Sequence, residues 1–219
     1  DRCQVRGRGR GVWAEASRPV HLEMTDTLTA IYGPVLLAEA GGKASGGTGT
    51  ARFNRVTALV GGPLVEMHGP EAADLTRPAG LTKFDVEADD CLFADVPGAG
   101  RPLLELVRVD PTDWKAVVSW QVKKGNWYAN FDDRSPARIQ PPSEGAVKEW
   151  GWDDWAANAG EPAGASRRTG KVTFAAPPAD PKDLAAVKPA DLAIKGTSPV
   201  TPEGGVKPAR LDELPLSPE

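Results

Sequence analysis

Glycine and proline interrupt this chain so often that long helices are excluded. The sequence contains 24 Gly and 21 Pro among 219 residues, well above the average usage of about 7% and 5%. Even the longest apolar run, residues 30–40, contains Gly33 and Pro34. No window of about 12 residues free of Gly and Pro shows the apolar spacing of a helix. The pattern predicts short strands joined by turns, with a short helix at residues 150–159.

Alternating apolar and polar residues predict the strands. In residues 20–24 the apolar positions alternate with His21 and Glu23, which is the period of a half-buried strand. Residues 103–109 and 116–122 flank a turn of sequence Asp-Pro-Thr-Asp and are predicted to pair as a hairpin. Core positions in that hairpin are Leu104, Leu106, Val117 and Trp120. The fold class predicted from these segments is an antiparallel β-sandwich.

Composition divides the chain into four predicted regions. Residues 1–11 form a flexible basic N-terminus, residues 12–140 the β-sandwich domain, and residues 141–174 a Trp-rich segment packed on the sandwich. Residues 175–219 contain no aromatic residue and many prolines, which predicts an extended tail. This tail is either a plain terminus or a strap across a neighbouring chain. Its candidate anchors are Leu184, Leu192, Ile194 and Leu211.

Charge and cysteine usage limit the partners. The 26 Lys and Arg and 30 Asp and Glu are interspersed, with a net charge of −4, so no nucleic-acid partner is predicted. No apolar run approaches the roughly 20 residues of a membrane span.

The first residue is Asp1 rather than Met, which indicates a processed chain or a fragment, and an extracellular or periplasmic location is suspected. Cys3 and Cys91 either form one disulfide or remain two free thiols.

No complete catalytic or metal constellation is visible in the sequence. His21 and His68 are the only histidines, and neither lies in a cluster with the spacing of metal ligands. Acidic pairs at 89–90, 132–133 and 153–154 are typical of solvated turns, although two carboxylates are also what a glycosidase needs. The common phosphate-binding, hydrolase and metalloprotease motifs do not occur. The chain is therefore predicted not to be an enzyme and to carry no metal or cofactor.

Aromatic residues offer the best candidate for a binding site. Trp127, Tyr128, Trp150, Trp152 and Trp155 lie close together in the sequence, and the string E-W-G-W-D-D-W at 149–155 mixes the last three with carboxylates. Exposed tryptophans beside acids can bind sugars, because the ring stacks on CH groups while the acids bond to hydroxyls. The alternative is that these five residues pack the Trp-rich segment onto the core.

The order of five short motifs resembles one protein family. These motifs are RPVHLEM…TAIYGPVLLAEAGG at 18–42, VTALVGGP at 56–63, RPAGLTKF at 77–84, GRPLLELVRV at 100–109 and KAVVSWQV at 115–122. Together, across residues 12–122, they resemble the β-sandwich region that follows the catalytic barrel in the β-L-arabinofuranosidase-like glycoside hydrolases. In that family the catalytic acid and the zinc-bound cysteine site belong to the barrel. The resemblance therefore implies a carbohydrate-associated domain without the family's activity.

Two functions fit the sequence better than a third, a stand-alone hydrolase, for which no complete catalytic site is visible. The first is a non-catalytic accessory module of a carbohydrate-active protein, which stabilises a partner domain or binds glycan. The second is a structural subunit of a larger assembly, whose proline-rich tail straps neighbouring chains. In either case the expected partner is another protein chain or domain, with glycan as a possible ligand.

Overall fold

The computed structural model describes residues 3–15, 18–41, 47–70, 81–96, 100–130, 135–161, 166–169, 172–178 and 180–192. Within these ranges the chain is mostly β and forms three sheets, which we name A, B and C. The first fourteen strands enter the three sheets in turn, so each passage through A, B and C makes one coil. The fold is therefore a three-sided parallel β-solenoid.

Sheet A contains the first strand of every coil. Its order follows the sequence, and every neighbouring pair is parallel. Its six strands are β1 (Gln4–Gly7), β4 (Leu28–Ile31), β7 (Thr57–Val60), β10 (Leu92–Asp95), β13 (Trp127–Ala129) and β16 (Arg167–Thr169).

Sheet B contains the second strand of each coil, also in parallel pairs apart from one. Its strands are β2 (Val12–Glu15), β5 (Leu36–Glu39), β8 (Val65–His68), β11 (Leu104–Val107), β14 (Ala137–Gln140) and β15 (Lys148–Trp150). The exception is β15, which returns antiparallel to β14 at the C-terminal end of the sheet.

Sheet C completes each of the first four coils, and all its pairs are parallel. Its strands are β3 (His21–Thr25), β6 (Thr48–Asn54), β9 (Lys83–Asp89) and β12 (Val118–Gln121). The helical elements are short: α1 (Trp114–Val117), α2 (Trp152–Asn158) and two 3-10 helices, Pro181–Ala186 and Pro189–Leu192.

The antiparallel β-sandwich predicted from the sequence is wrong. The two segments of the predicted hairpin, β11 and β12, do not pair with each other, because β11 lies in sheet B and β12 in sheet C. Each pairs instead with the strand at the same position of the preceding coil. The four core residues predicted there are nevertheless buried. Leu104, Leu106 and Trp120 lie on the inward faces of their strands, whereas Val117 is the last residue of α1. The predicted short helix is confirmed as α2.

The main core fills the interior of the solenoid. Residues at the same position of successive strands stack into rows, such as Leu36, Val65, Leu104 and Ala137 from sheet B. All four are at most 1% exposed. Rows from sheets A and C meet them, and aromatic pairs such as Phe93 and Tyr128, whose ring centroids are 6.0 Å apart, fill the centre.

Proline and glycine form the corner between sheets A and B. Pro34, Pro63, Pro102 and Pro136 precede the sheet B strands of four successive coils. Hydrogen bonds join this corner from coil to coil, for example from the Val35 amide to the Pro63 carbonyl at 3.3 Å. A Cβ on Gly62 would lie 2.7 Å from the carbonyl carbon of Gly33, so the stacked corner has no room for a side chain there.

Residues in the left-handed backbone conformation, with positive φ, form the corner between sheets C and A. Asp26, Arg55 and Asp90 occupy it in successive coils, with φ of 49°, 53° and 55°. Arg55 donates to both carboxylate oxygens of Asp26, at 2.5 and 2.7 Å. This bidentate pair offsets part of the cost of an unusual backbone conformation.

A second, smaller core lies outside the solenoid on sheet A. The outward rows of this sheet are apolar and include Leu28, Leu59, Leu92 and Trp127. They are covered by the described residues between 172 and 192, which we call the strap. The strap contributes five buried side chains: Val172, Phe174, Leu184, Val187 and Leu192.

The strap should stabilise the fold from outside the solenoid. We expect Leu184→Ala to lower the free energy of unfolding by about 2–5 kcal/mol, because Leu184 is fully buried. The matched control is Asp183→Ala, which removes only an exposed ion pair with Arg8 and should cost less than about 1 kcal/mol. Urea denaturation of both variants measures the difference. Equal stabilities would show that the strap does not belong to the cooperative fold.

The two cysteines differ in environment and are not bonded to each other. Cys91 is buried at the corner between sheets C and A, and burial raises the pKa of its thiol to about 12. A thiolate is the reactive species, so Cys91 should stay protonated and inert at pH 8, whereas exposed Cys3 should react. An aromatic disulfide reagent should therefore titrate one thiol per native chain and two after denaturation. Two fast-reacting native thiols would contradict the burial of Cys91.

Candidate functional site

The outer face of sheet B carries the most unusual group of exposed side chains. Because the strands are parallel and in register, outward residues align in two rows along the solenoid axis. One row is Trp13, Leu37, Glu66, Glu105 and Arg138. The other row is Glu15, Glu39, His68, Val107 and Gln140.

Trp13 is the exposed aromatic residue of this face. Its side chain is 58% exposed, and among the described residues the other large hydrophobic side chain left exposed is Val147. The indole N–H donates to Glu39 Oε2 at 2.7 Å. This bond links β2 to β5 and holds the ring in one orientation, while much of its surface stays open to solvent.

His68 lies between two carboxylates on the same face. Its Nε2 is 2.6 Å from Glu66 Oε1 and its Nδ1 is 3.6 Å from Glu39 Oε1. The imidazole therefore bridges two carboxylates that come from neighbouring strands of sheet B. Glu39 therefore contacts both the indole and the imidazole. We name Trp13, Glu39, Glu66 and His68 the indole–carboxylate site.

The C-terminal half of the same face is neutralised internally. Glu105 is 4% exposed and accepts from Gln140 Nε2 at 2.8 Å. Arg101 and Arg138 each come within 3.8 Å of its carboxylate. Arg138 also bonds to Glu149. These side chains satisfy one another, so the polar groups able to reach a ligand are concentrated around Trp13.

The aromatic residues predicted to bind glycan lie elsewhere. Trp127, Tyr128, Trp150 and Trp155 are each at most 3% exposed, and Trp152 is half-buried. Trp155 packs edge-on against Trp120, at 4.9 Å between ring centroids, and Trp152 contacts Tyr128. With the exception of Trp127, which lies in the second core, they close the C-terminal end of the main core. This is the packing role that the sequence also allowed.

The predicted tail anchors divide into two groups. Leu184 and Leu192 are fully buried in the chain's own second core. The strap is also tied to β1, because Arg6 donates to the Val187 carbonyl at 2.8 Å. Ile194 and Leu211 lie outside the described residues.

Sheet C presents a second polar face, with mixed charge. A shallow recess of about 160 Å³ is lined by Glu23, Arg52, Phe53, Asn54, Glu87, Asp89 and Lys124. Charges in and beside the recess pair with one another, as in Arg52 with Glu87 at 3.5 Å and the neighbouring Lys123 with Glu87 at 3.3 Å. Beside the recess, a hydrogen bond from Ser119 lowers the pKa of Asp85. This internal pairing makes sheet C a weaker candidate than sheet B.

Sequence reasoning did not find the indole–carboxylate site. Trp13 stands alone in the sequence, and His68 was interpreted as an ordinary strand residue because no ligand cluster surrounds it there. The usable signal is the alternation in residues 65–68, which directs Glu66 and His68 to one face. The parallel register of β5 and β8 then brings Glu39 beside them.

Comparison with known proteins provides no family for the chain. No family model, no curated protein and no solved structure matches it. The described helices include none long and apolar enough to cross a membrane. Nor do the described residues contain a group of three or more His, Cys, Asp or Glu side chains placed to hold a metal ion.

The exposure of Trp13 is directly measurable. All seven tryptophans lie in the described ranges, and Trp13 is the one that is mainly solvent-exposed. We expect iodide to quench a fraction of the native fluorescence, and Trp13→Phe to remove most of that fraction. Trp120→Phe, at a buried position, serves as the control and should leave it unchanged. Quenching that persists in Trp13→Phe would show that another indole is exposed.

Proposed function

We propose that this chain is a non-catalytic β-solenoid module that binds glycan through the indole–carboxylate site, as an accessory part of a carbohydrate-active protein. The observation that carries the proposal is the exposed, oriented indole of Trp13 among hydrogen-bonding groups. An indole offers an apolar face together with a polar edge. Here the polar edge is occupied by Glu39, which leaves the face for the CH groups of a sugar ring.

The neighbouring polar groups support the same ligand class. Glu39 and Glu66 can accept from sugar hydroxyls, and both are already held by contacts within the protein. Side chains fixed before binding lose less entropy when a ligand arrives. Adjacent strands are about 4.8 Å apart, so the three coils that contribute to the site span the length of a short oligosaccharide lying along the solenoid axis.

The proposal is for binding rather than turnover. Glycoside hydrolysis uses carboxylates as acid, base or nucleophile, and here Glu66 is engaged by His68 while Glu39 is engaged by both Trp13 and His68. An extracellular or periplasmic location and the likeness to the arabinofuranosidase-like hydrolases remain predictions. The β-sandwich that this likeness implied is contradicted by the parallel sheets.

The alternative function, a structural subunit that straps neighbouring chains, has less support. Two of its four proposed anchors, Leu184 and Leu192, are already buried against the chain's own sheet A. A strap that covers its own solenoid would have to leave that surface before it could cover another chain.

Titration calorimetry with soluble arabino-, xylo- and cello-hexasaccharides tests the proposal. We expect at least one of them to bind, and Trp13→Ala to weaken that binding at least about tenfold, or 1.4 kcal/mol. The matched control is Val147→Ala, which truncates the other exposed hydrophobic side chain and should leave affinity unchanged. The proposal fails if none of the three binds, or if Trp13→Ala binds as tightly as the unaltered chain.

A further inference from the structure

The indole–carboxylate site differs in charge from the other polar surfaces of the solenoid. On sheet C and around Glu105, ion pairs join carboxylates to arginine or lysine. Among the described residues, the ion pairs of Glu39 and Glu66 are with His68 alone. Two ionised carboxylates and one imidazole leave the site with a net negative charge whether or not His68 is protonated.

The exposed arginines of the first coil do not neutralise these carboxylates. Arg6 and Arg8 contact the strap on the sheet A side of the solenoid. Arg10 and Arg18 are exposed before and after β2, and neither forms an ion pair with a carboxylate of the site. Arg108, which follows β11, donates to a backbone carbonyl at 2.9 Å. The negative charge is therefore left for a ligand.

Both carboxylates keep capacity to accept further hydrogen bonds. Each ionised carboxylate has about four acceptor positions. Glu39 uses its oxygens toward Trp13 and His68, and Glu66 uses one oxygen toward His68. The side chains of Glu39 and Glu66 are only 33% and 20% exposed. Partial burial lowers the effective dielectric constant around them, so they attract a cation more strongly than carboxylates in open solvent.

The indole adds a second attraction for positive charge. The face of a tryptophan ring attracts ammonium groups through its quadrupole. The chain already contains such a contact, because the Lys115 ammonium lies 5.4 Å from the centroid of the Trp114 ring. No described cation covers Trp13, and its bond to Glu39 places a carboxylate at the edge of the ring. A cation over this ring is therefore close to a carboxylate as well.

We propose that the indole–carboxylate site selects amino sugars, which are glycans with unacetylated, protonated amines, over neutral and acidic glycans. This inference rests on the proposed function and specifies its ligand class. An ammonium donates charge-assisted hydrogen bonds to Glu39 and Glu66, and these are roughly twice as strong as the bonds of a neutral hydroxyl. Acetylation removes the charge of the amine, and a uronic acid places a like charge beside the two carboxylates.

Three hexasaccharides with the same β-1,4-linked backbone test the proposal. They carry an amine, a hydroxyl or an acetamide at C2, so they are the hexamers of glucosamine, glucose and N-acetylglucosamine. Titration calorimetry is carried out in mildly acidic buffer, in which the amines are protonated. Hexalysine provides positive charge without a sugar.

Charge-neutral variants identify the groups that select the amine. Glu39→Gln and Glu66→Gln each remove a charge but keep the side-chain length and an acceptor oxygen. The matched control is Asp153→Asn, which removes an exposed carboxylate from α2. Iodide quenching that matches that of the unaltered chain shows that Trp13 is still exposed in each variant.

We expect the glucosamine hexamer to bind at least about tenfold more tightly than the other two hexamers and hexalysine. Each glutamine variant should reduce the preference for glucosamine over glucose at least about threefold, whereas Asp153→Asn should leave it unchanged. The preference should also decrease as salt is added, because salt screens the charges.

The outcomes separate this inference from the proposed function. Equal binding of the glucosamine and glucose hexamers, lost for both in Trp13→Ala, would overturn the amino-sugar inference and leave glycan binding intact. A preference that both glutamine variants retain, or hexalysine that binds as tightly as the glucosamine hexamer, would also overturn it. If no hexamer binds, the inference and the proposed function both fail.

Discussion

Parallel stacking of successive coils is the constraint on which the rest of this structure depends. Each strand pairs with the strand at the same position of the neighbouring coil, so one register is repeated in three sheets. This repetition aligns equivalent positions of successive coils in rows, so that an inner apolar residue of a middle coil packs against a neighbour in the coil before it and in the coil after it. The corners must then stack as well. Close packing of Gly62 on Gly33 and the pairing of Arg55 with Asp26 are consequences of that requirement.

Local sequence patterns predicted much of this, but not the partner of each strand. Alternation identified most strands and the inward residues Leu104, Leu106 and Trp120, all of which are buried; Val117 is buried as well, but at the end of α1. It does not distinguish a hairpin from two strands in different sheets, because both have a period of two. The repeat that would have distinguished them is present in Pro34, Pro63, Pro102 and Pro136. Loops of unequal length between these prolines hide its period.

The candidate site and the tail were also harder to predict, because local sequence patterns do not show which strands and segments come together in space. The clustered tryptophans suggested a surface, yet a solenoid needs large side chains where stacking ends, and Trp150 and Trp155 are used there. Conversely, Trp13 gains its partner Glu39 only through the pairing of β2 with β5. The apolar residues of the tail were recognised as anchors. Composition could not show that Leu184 and Leu192 are anchored on the chain's own sheet.

The three outer faces of the solenoid have different surfaces and therefore different capacities for interaction. Sheet A is apolar outside and is covered by the strap, so its surface already serves stability. Sheet C carries charges that alternate from coil to coil and pair with one another. On sheet B, pairing is complete around Glu105 but leaves the indole of Trp13 exposed. A parallel solenoid can assign stability to one face and an exposed surface to another, because the inward rows of side chains determine the fold. The outward rows can vary without disturbing the pairing of the strands. An exposed, oriented aromatic ring is therefore compatible with stability on this face, and sheet B is the surface through which we propose that the chain binds a ligand.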